Sequence, residues 1–300
     1  MRRRSTWDVQ QIDRMEAPPE DQYDWTRATG FRYFADGNSV GIGMNCITKP
    51  RVEFTDTQLF NLASVNERLQ DGLDGRPALE HQFTRVLRSN DFRPYRSRYG
   101  YKFVTEETYD RFITEGYFRL SSLGRFRDLE LQGDIAGDRF EGTAYCCFSV
   151  RDRNLVFSLI SGFDSHIFSL TRDLRNANEM RERFGPVVLQ VKLAPFARRL
   201  AELVGQDNVE TRLVRYADLK IYRGAMTYGD AESTAYRYSS RLAKAVRRGA
   251  AMPSIFAKPS RFELEREVRI RIATGLDVPD TTDVQDRGLL RFVRRIDTSA

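Results

Sequence analysis

The chain has 300 residues, 41% hydrophobic, 30% charged and 12% aromatic, which specifies a folded protein and excludes a disordered or low-complexity one. No apolar run approaches the roughly 18 residues of a membrane span, and no apolar segment of a secretory signal follows the basic start MRRRSTWDVQQID, so a cytoplasmic protein without membrane association is expected. The formal charge of +6, carried mostly by arginine, favours phosphate-bearing partners, while three cysteines without CxxC spacing and only two histidines leave little for a zinc site.

In chain order, residues 1–29 read as a loosely ordered arm and Phe31 to Thr48 as a hairpin punctuated by glycines. A helix capped by Thr55 or Asp56 is predicted through Leu69, and a second from Pro77 to about Arg88 with Leu79, Phe83, Val86 and Leu87 inward. An Arg- and Tyr-rich linker, DFRPYRSRYGYK, closes an N-terminal region of residues 1–98, ahead of a main domain over 99–300. There YKFV is a strand, EETYDRFITE a short helix capped by Thr105 and stopped at Gly116, and YFRLSSL a second strand. A long loop, RFRDLELQGDIAGDRFEG, leads to the strand AYCCFSV. In that apolar context Cys146 and Cys147 read as buried strand residues and not as partners of His166 in a dyad.

Helical patterns are assigned to roughly 153–184, followed by the strand PVVLQVKL, the amphipathic helix APFARRLAELVG and one or two strands in TRLVRYADLKIYRG. A helix over about Glu232 to Arg248 and the strands SIFAK, FELEREVRIRI and GLLRFVRRI complete the chain. Strands and helices intermix without βαβ alternation, so the expected class is α+β, with a mixed or antiparallel central sheet flanked by helices.

The stretch SRFELEREVRI carries the chemical question. Read as one strand, Phe262, Leu264, Arg266, Val268 and Ile270 share one face, and Glu263, Glu265, Glu267, Arg269 and Arg271 share the other. Such a face is either a solvated, charge-protected edge or a set of carboxylates aimed at a ligand.

The order of YKFVT, FRLSSL, RFRD, FEG, CFSV and FAKPSRFELEREVRI resembles an uncharacterised bacterial family, domain of unknown function 2971, over about residues 99–274. Phe262 stands where that family has tryptophan, and the acidic loop is longer than the family's. A basic residue on an early strand, a serine on a later one and a terminal E-x-E strand also resemble mono-ADP-ribosyltransferases. That resemblance implies an ADP-ribosyltransferase-like fold with NAD as cofactor, and a toxin or phage-defence protein modifying nucleic acid or protein. It implies Glu267 as the catalytic carboxylate with Glu265 beside it, and Lys102, Arg119, Ser121, Ser122 and Arg223 as candidates for holding the cofactor.

Two further constellations stay open. On the helix after Glu232, Arg237, Arg241, Lys244 and Arg248 recur at helical spacing and suit a nucleic-acid backbone, together with Arg93, Arg96 and Arg98 interleaved with Tyr95 and Tyr99. Asp134, Asp138 and Glu141 in GDIAGDRFEG are the candidate ligands for Mg²⁺ in a nuclease, although their spacing matches no calcium loop.

Overall fold

A computed structural model describes residues 26–35, 39–48, 55–73, 80–131, 141–150, 153–160, 164–225, 252–274 and 278–297. The chain is α+β, with two large sheets. Strands β1 (Thr26–Ala35) and β2 (Ser39–Thr48) form a hairpin in continuous antiparallel register, and helix α1 (Asp56–Leu73) follows. The described part of the expected helix over 77–88 is not helical: residues 80–86 lack regular structure, and β3 (Leu87–Arg88) pairs in parallel with a later strand. Tertiary contacts outweigh the local pattern here. Leu87 is fully buried while Phe83 is 46% exposed, and Thr84 Oγ1 accepts the Asp218 amide at 3.4 Å.

Strand β4 (Tyr99–Val104) leads to α2 (Glu106–Arg111), where Thr105 Oγ1 caps Thr108 N, and Gly116 ends the unit in the left-handed region. After β5 (Tyr117–Ser121), part of the expected long loop is instead helix α3 (Leu123–Leu131), begun by Ser122, whose hydroxyl accepts from Arg125 N. Strands β6 (Thr143–Val150), β7 (Arg153–Ile160) and β8 (Ser165–Thr171) follow, so the helix assigned to 153–184 is confined to α4 (Ala177–Phe184). The residues of β8 are almost all buried, and burial on both faces erases the alternation by which a strand is recognised.

Next come β9 (Val187–Lys192), α5 (Leu193–Leu203), β10 (Val209–Leu213), β11 (Arg215–Tyr216) and β12 (Ile221–Ala225). SIFAK is a helical turn over 252–256 and a short strand, β13 (Ala257–Lys258), and not one continuous strand. A 3-10 turn (Ser260–Glu265) precedes β14 (Glu267–Ala273). The unforeseen β15 (Thr281–Gln285), a second 3-10 turn (Arg287–Phe292) and β16 (Val293–Ile296) complete the described chain.

One sheet runs β1-β2-β7-β6-β12-β3, so residues on both sides of position 98 share it. The other runs β10-β14-β8-β4-β9-β16, with β5 attached to β8 and β15 to β5, and every pairing in it is antiparallel. The amphipathic α5 covers one face of the second sheet. Phe196 sits at 5.2 Å from the ring centres of both Phe118 and Phe168, above Leu189, Val268 and Ile270. The helical turn over 252–256 buries Ile255 and Phe256 in a second core with Leu87, Cys146, Phe148 and Tyr222.

Gly185, between α4 and β9, adopts φ +118°, and a Cβ there would collide with the backbone of Val104 and Thr105. Gly205 also has positive φ but faces open space. Gly185→Ala is therefore expected to lower stability by about 3 kcal/mol, through strain and displaced backbone, against about 1 kcal/mol for Gly205→Ala; denaturant unfolding of the two variants measures the difference.

Candidate functional site

Strand β14 is not an edge. It lies between β10 and β8, and Glu267 and Arg269 are buried on it, which removes the solvated-edge reading of its charges. Nor is SRFELEREVRI one strand. The 3-10 turn ends at Arg266, which adopts the left-handed conformation (φ 46°), costly for a residue with a side chain. That conformation is held from outside. Asp173 accepts from Arg266 Nε and a terminal guanidinium nitrogen at 2.7 to 3.0 Å, and Arg172 N donates to Arg266 O at 2.9 Å. The two carboxylates flanking this break, Glu265 and Glu267, converge on one ammonium group: Lys258 Nζ lies 2.8 Å from Glu265 Oε2 and 3.2 Å from Glu267 Oε2.

Glu267 is held further. Its Oε1 accepts from Ser169 Oγ at 2.6 Å and from Arg269 Nε at 2.7 Å, and its amide donates to the Tyr216 hydroxyl at 2.7 Å. Arg269, wholly buried, also grips Glu141 with two terminal nitrogens at 2.7 Å each and donates to Ile255 O. The loop before β6, the helical turn over 252–256 and β14 are thereby joined through one guanidinium.

A cavity of about 100 Å³ opens beside this network. It is lined by Lys102, Ser169, Thr171, Lys258, Glu265 and Glu267, with Tyr101, Phe103, Phe126 and Phe184 as aromatic wall. Its position follows from the sheet. Strands β4 and β8 pair only at Tyr101 and Thr171; beyond that point β4 continues along β9, while β8 meets β5 at Ser121–Ile167. Lys102 reaches across the gap to donate to Ser169 O at 3.0 Å, with its ammonium 4.7 Å from the centre of the Phe168 ring.

The charges in the cavity are unlike one another. Burial works to raise the Glu267 carboxyl, but the pull of Arg269 and Lys258 and the hydrogen bonds of Arg269 and Ser169 overcome it and hold the group at about 2. Burial prevails at Glu265, where Lys258 opposes it incompletely and Glu267 adds to it, and that carboxyl is raised. Lys102 is pushed down to about 8 by burial, with Glu267 resisting. Lys258 is raised, the two glutamates outweighing its burial. Two neighbouring carboxyls are thus pushed in opposite directions, Glu267 held as the anion and Glu265 shifted toward its protonated form.

Of the residues singled out from sequence, the structure brings Lys102, Glu265 and Glu267 together. It separates the others. Ser121 lies level with Ile167, four residues along β8 from the partner of Glu267, roughly 13 Å away along the sheet. Ser122 caps α3. Arg119 sits on the exposed side of β5, paired with Asp283 at 2.8 Å. Arg223 belongs to the other sheet and pairs with Asp56 at 3.2 Å.

Glu141 is fully buried and spent on Arg269, which takes it out of the proposed Mg²⁺ set. No cluster able to hold a metal occurs among the described residues, and Asp134 and Asp138 lie outside them. Arg237, Arg241, Lys244 and Arg248 also lie outside the described residues. Cys146 and His166 stand on different sheets, and burial raises the Cys146 thiol, with Cys147 adding to it.

Ser169, Lys258 and Arg269 complete the site and were not chosen from sequence as its parts. Ser169 falls in SHIFSLT, a segment expected to be helical that is strand β8; its alternation with Ile167 and Thr171 is the strand signal there. Comparison with protein-family models, with curated proteins and with solved structures yields no match for this chain.

Removing Arg269 leaves two buried carboxylates without their main cation. Arg269→Met is expected to cost about 3–5 kcal/mol in denaturant unfolding, and Glu141→Gln in the same chain to recover part of the loss. The depressed Glu267 has a pH signature. Its contribution is fully present above the unfolded value of 4.5 and is lost as pH falls from there through about 2. Unfolding midpoints measured between pH 5 and pH 2 are expected to fall more shallowly in Glu267→Gln than in the wild type, the remaining slope belonging to Asp91, Glu141, Asp173, Asp283 and Asp286, whose carboxyls are also lowered.

Proposed function

We propose that this cavity is the site of an NAD-dependent ADP-ribosyl transfer centred on Glu267. One observation carries the proposal: a cation, a serine and the last glutamate of E-x-E, namely Lys102, Ser169 and Glu267, come from the three neighbouring strands β4, β8 and β14 and line one cavity. The E-x-E resemblance to mono-ADP-ribosyltransferases assigned these roles to a basic residue, a serine and a glutamate, and Ser169 here takes the part first given to Ser121 and Ser122.

The residues suit one end of a dinucleotide. At about 100 Å³ the cavity is smaller than the ~150 Å³ that lodges a benzene ring, so the nicotinamide end of a dinucleotide enters only as the wall of Tyr101, Phe103, Phe126 and Phe184 moves outward. NAD supplies a ribosyl carbon whose bond to nicotinamide breaks, with the bonding electrons leaving on nicotinamide. Glu267, nearly fully buried and ionised at every working pH, opposes the positive charge that develops at that carbon. Ser169 fixes the orientation of Glu267. Lys102, when protonated, attracts phosphate. Glu265, with its raised carboxyl, takes the proton that the attacking acceptor loses as its bond to the carbon forms.

The test is nicotinamide release from labelled NAD, with NAD binding followed by calorimetry. Wild type is expected to bind and release, Glu267→Gln to bind with release reduced about 10²–10³-fold, and Lys102→Ala to raise KM more than it lowers kcat. Because Lys102 titrates near 8, kcat/KM is expected to fall as pH rises through that value, and Lys102→Arg to move that limb upward. A folded wild type that shows no NAD binding at millimolar concentration overturns the proposal.

A further inference from the structure

Arginines elsewhere in the described structure are mostly met by carboxylates: Arg85 by Asp91, Arg111 by Glu107, Arg199 by Asp286, Arg287 by Glu115 and Arg295 by Glu106. The segment before β4 departs from this. Arg93, Arg96 and Arg98 are all exposed, and among the described residues none forms an ion pair; the one recorded contact of their guanidinium groups is Arg98 over the Tyr99 ring at 5.2 Å. Exposed arginines without counter-charges repel one another, and a bound polyanion would relieve that repulsion.

The fold extends this strip in both directions. Pro94 bridges to Arg212 of β10 and Tyr95 N donates to Thr211 O, so the segment crosses the outer strand of the sheet. The Tyr95 hydroxyl donates to Arg172 O at 3.4 Å, beside the turn that presents the exposed Arg175. At its other end Arg98 O accepts from Leu193 N, and Tyr99 pairs with the exposed Lys192. The strip runs along one end of the sheet, where β8 finishes and β4 and β14 begin. Tyr101, Thr171 and Glu267, on the cavity wall, stand level with one another at that end.

We propose that Arg93, Arg96, Arg98, Arg175 and Lys192 form a docking strip for single-stranded nucleic acid, leading to the mouth of the cavity. The chemistry separates this partner from a lipid surface. Insertion into a lipid surface uses exposed apolar side chains among the cations, and among the described residues the large exposed ones, Phe83, Phe112, Tyr117 and Leu264, lie outside the strip. A guanidinium stacked on a half-buried tyrosine suits bases, which share π-faces whatever their sequence. The strip binds whether or not NAD is consumed in the cavity, so its test is independent of that chemistry.

The experiment is fluorescence anisotropy of the full chain with a labelled single-stranded DNA, and separately an RNA, of about 20 nucleotides, long enough to span the strip. Titrations at several salt concentrations give the slope of log K against log salt. Wild type is expected to bind with a steep slope. Arg96→Ala with Arg98→Ala is expected to bind about tenfold or more weakly at 0.1 M salt, with a slope shallower by about 1.4, the value for two lost phosphate contacts. Arg111→Gln with Arg287→Gln removes the same charge at the opposite end of the sheet and is expected to bind as wild type does. No binding by wild type, equal weakening in both variants, or tighter binding to anionic phospholipid vesicles than to the oligonucleotides overturns the proposal. Circular dichroism is the check that both variants fold, their side chains being exposed, and Arg96→Glu with Arg98→Glu serves as a second variant expected to bind more weakly still than the double alanine.

Discussion

Arg269 is the group on which the rest of the site depends. It is wholly buried, and its guanidinium is divided between Glu141, which it meets with two parallel contacts, and Glu267, which it meets through Nε. A planar fork with five donors can do this and an ammonium cannot, because two carboxylates at different angles need directed donors. Burying so many charges is costly, and the attraction offsets the cost only when the geometry is nearly complete. Such a network tolerates little displacement of the elements it joins: the loop before β6, the helical turn over 252–256 and β14.

That rigidity fixes the charges that face the cavity. Glu267 is stabilised as an anion by partners on its own strand and by Ser169 on the next, so its charge needs no water. Glu265 lies across the Arg266 break and is compensated mainly by the shared Lys258. The left-handed backbone at Arg266, clamped by Asp173, sets the two carboxyls on one ammonium while leaving them in different environments. Lys102, on the far side of the gap between β4 and β8, is desolvated without a carboxylate of its own at salt-bridge distance among the described residues, and its proton is correspondingly loose.

The surface follows a different rule. Away from the strip before β4, exposed arginines such as Arg111, Arg119, Arg287 and Arg295 are balanced by carboxylates, each pair contributing little to stability but keeping the local field weak. Leaving Arg93, Arg96 and Arg98 unbalanced concentrates positive potential at the end of the sheet where the cavity opens. The proposed docking strip and the proposed catalytic carboxylates thus lie on neighbouring parts of the fold.

Several features were readable in the amino-acid order. The α+β class, the hairpin of β1 and β2, β4 with its capped helix, β9, and α5 with its terminal glycine are all set by local pattern and caps. So was the pairing of Glu265 with Glu267 as the residues to examine. The remainder was decided by contacts distant in sequence. Residues 153–160 and 165–171 are strands because neighbouring strands take up their backbone groups, and β8 is buried on both faces, which hides its period. Leu87 is drawn into a strand by a partner more than a hundred residues away. Ser169 meets Glu267 only because β8 and β14 are neighbours, and Arg269 meets Glu141 across 128 residues. The sequence by itself determined which segments repeat with helical or strand period and which groups can ionise. Only the tertiary structure decided which of those groups lose their water together, since burial and charge pairing are properties of neighbours in space.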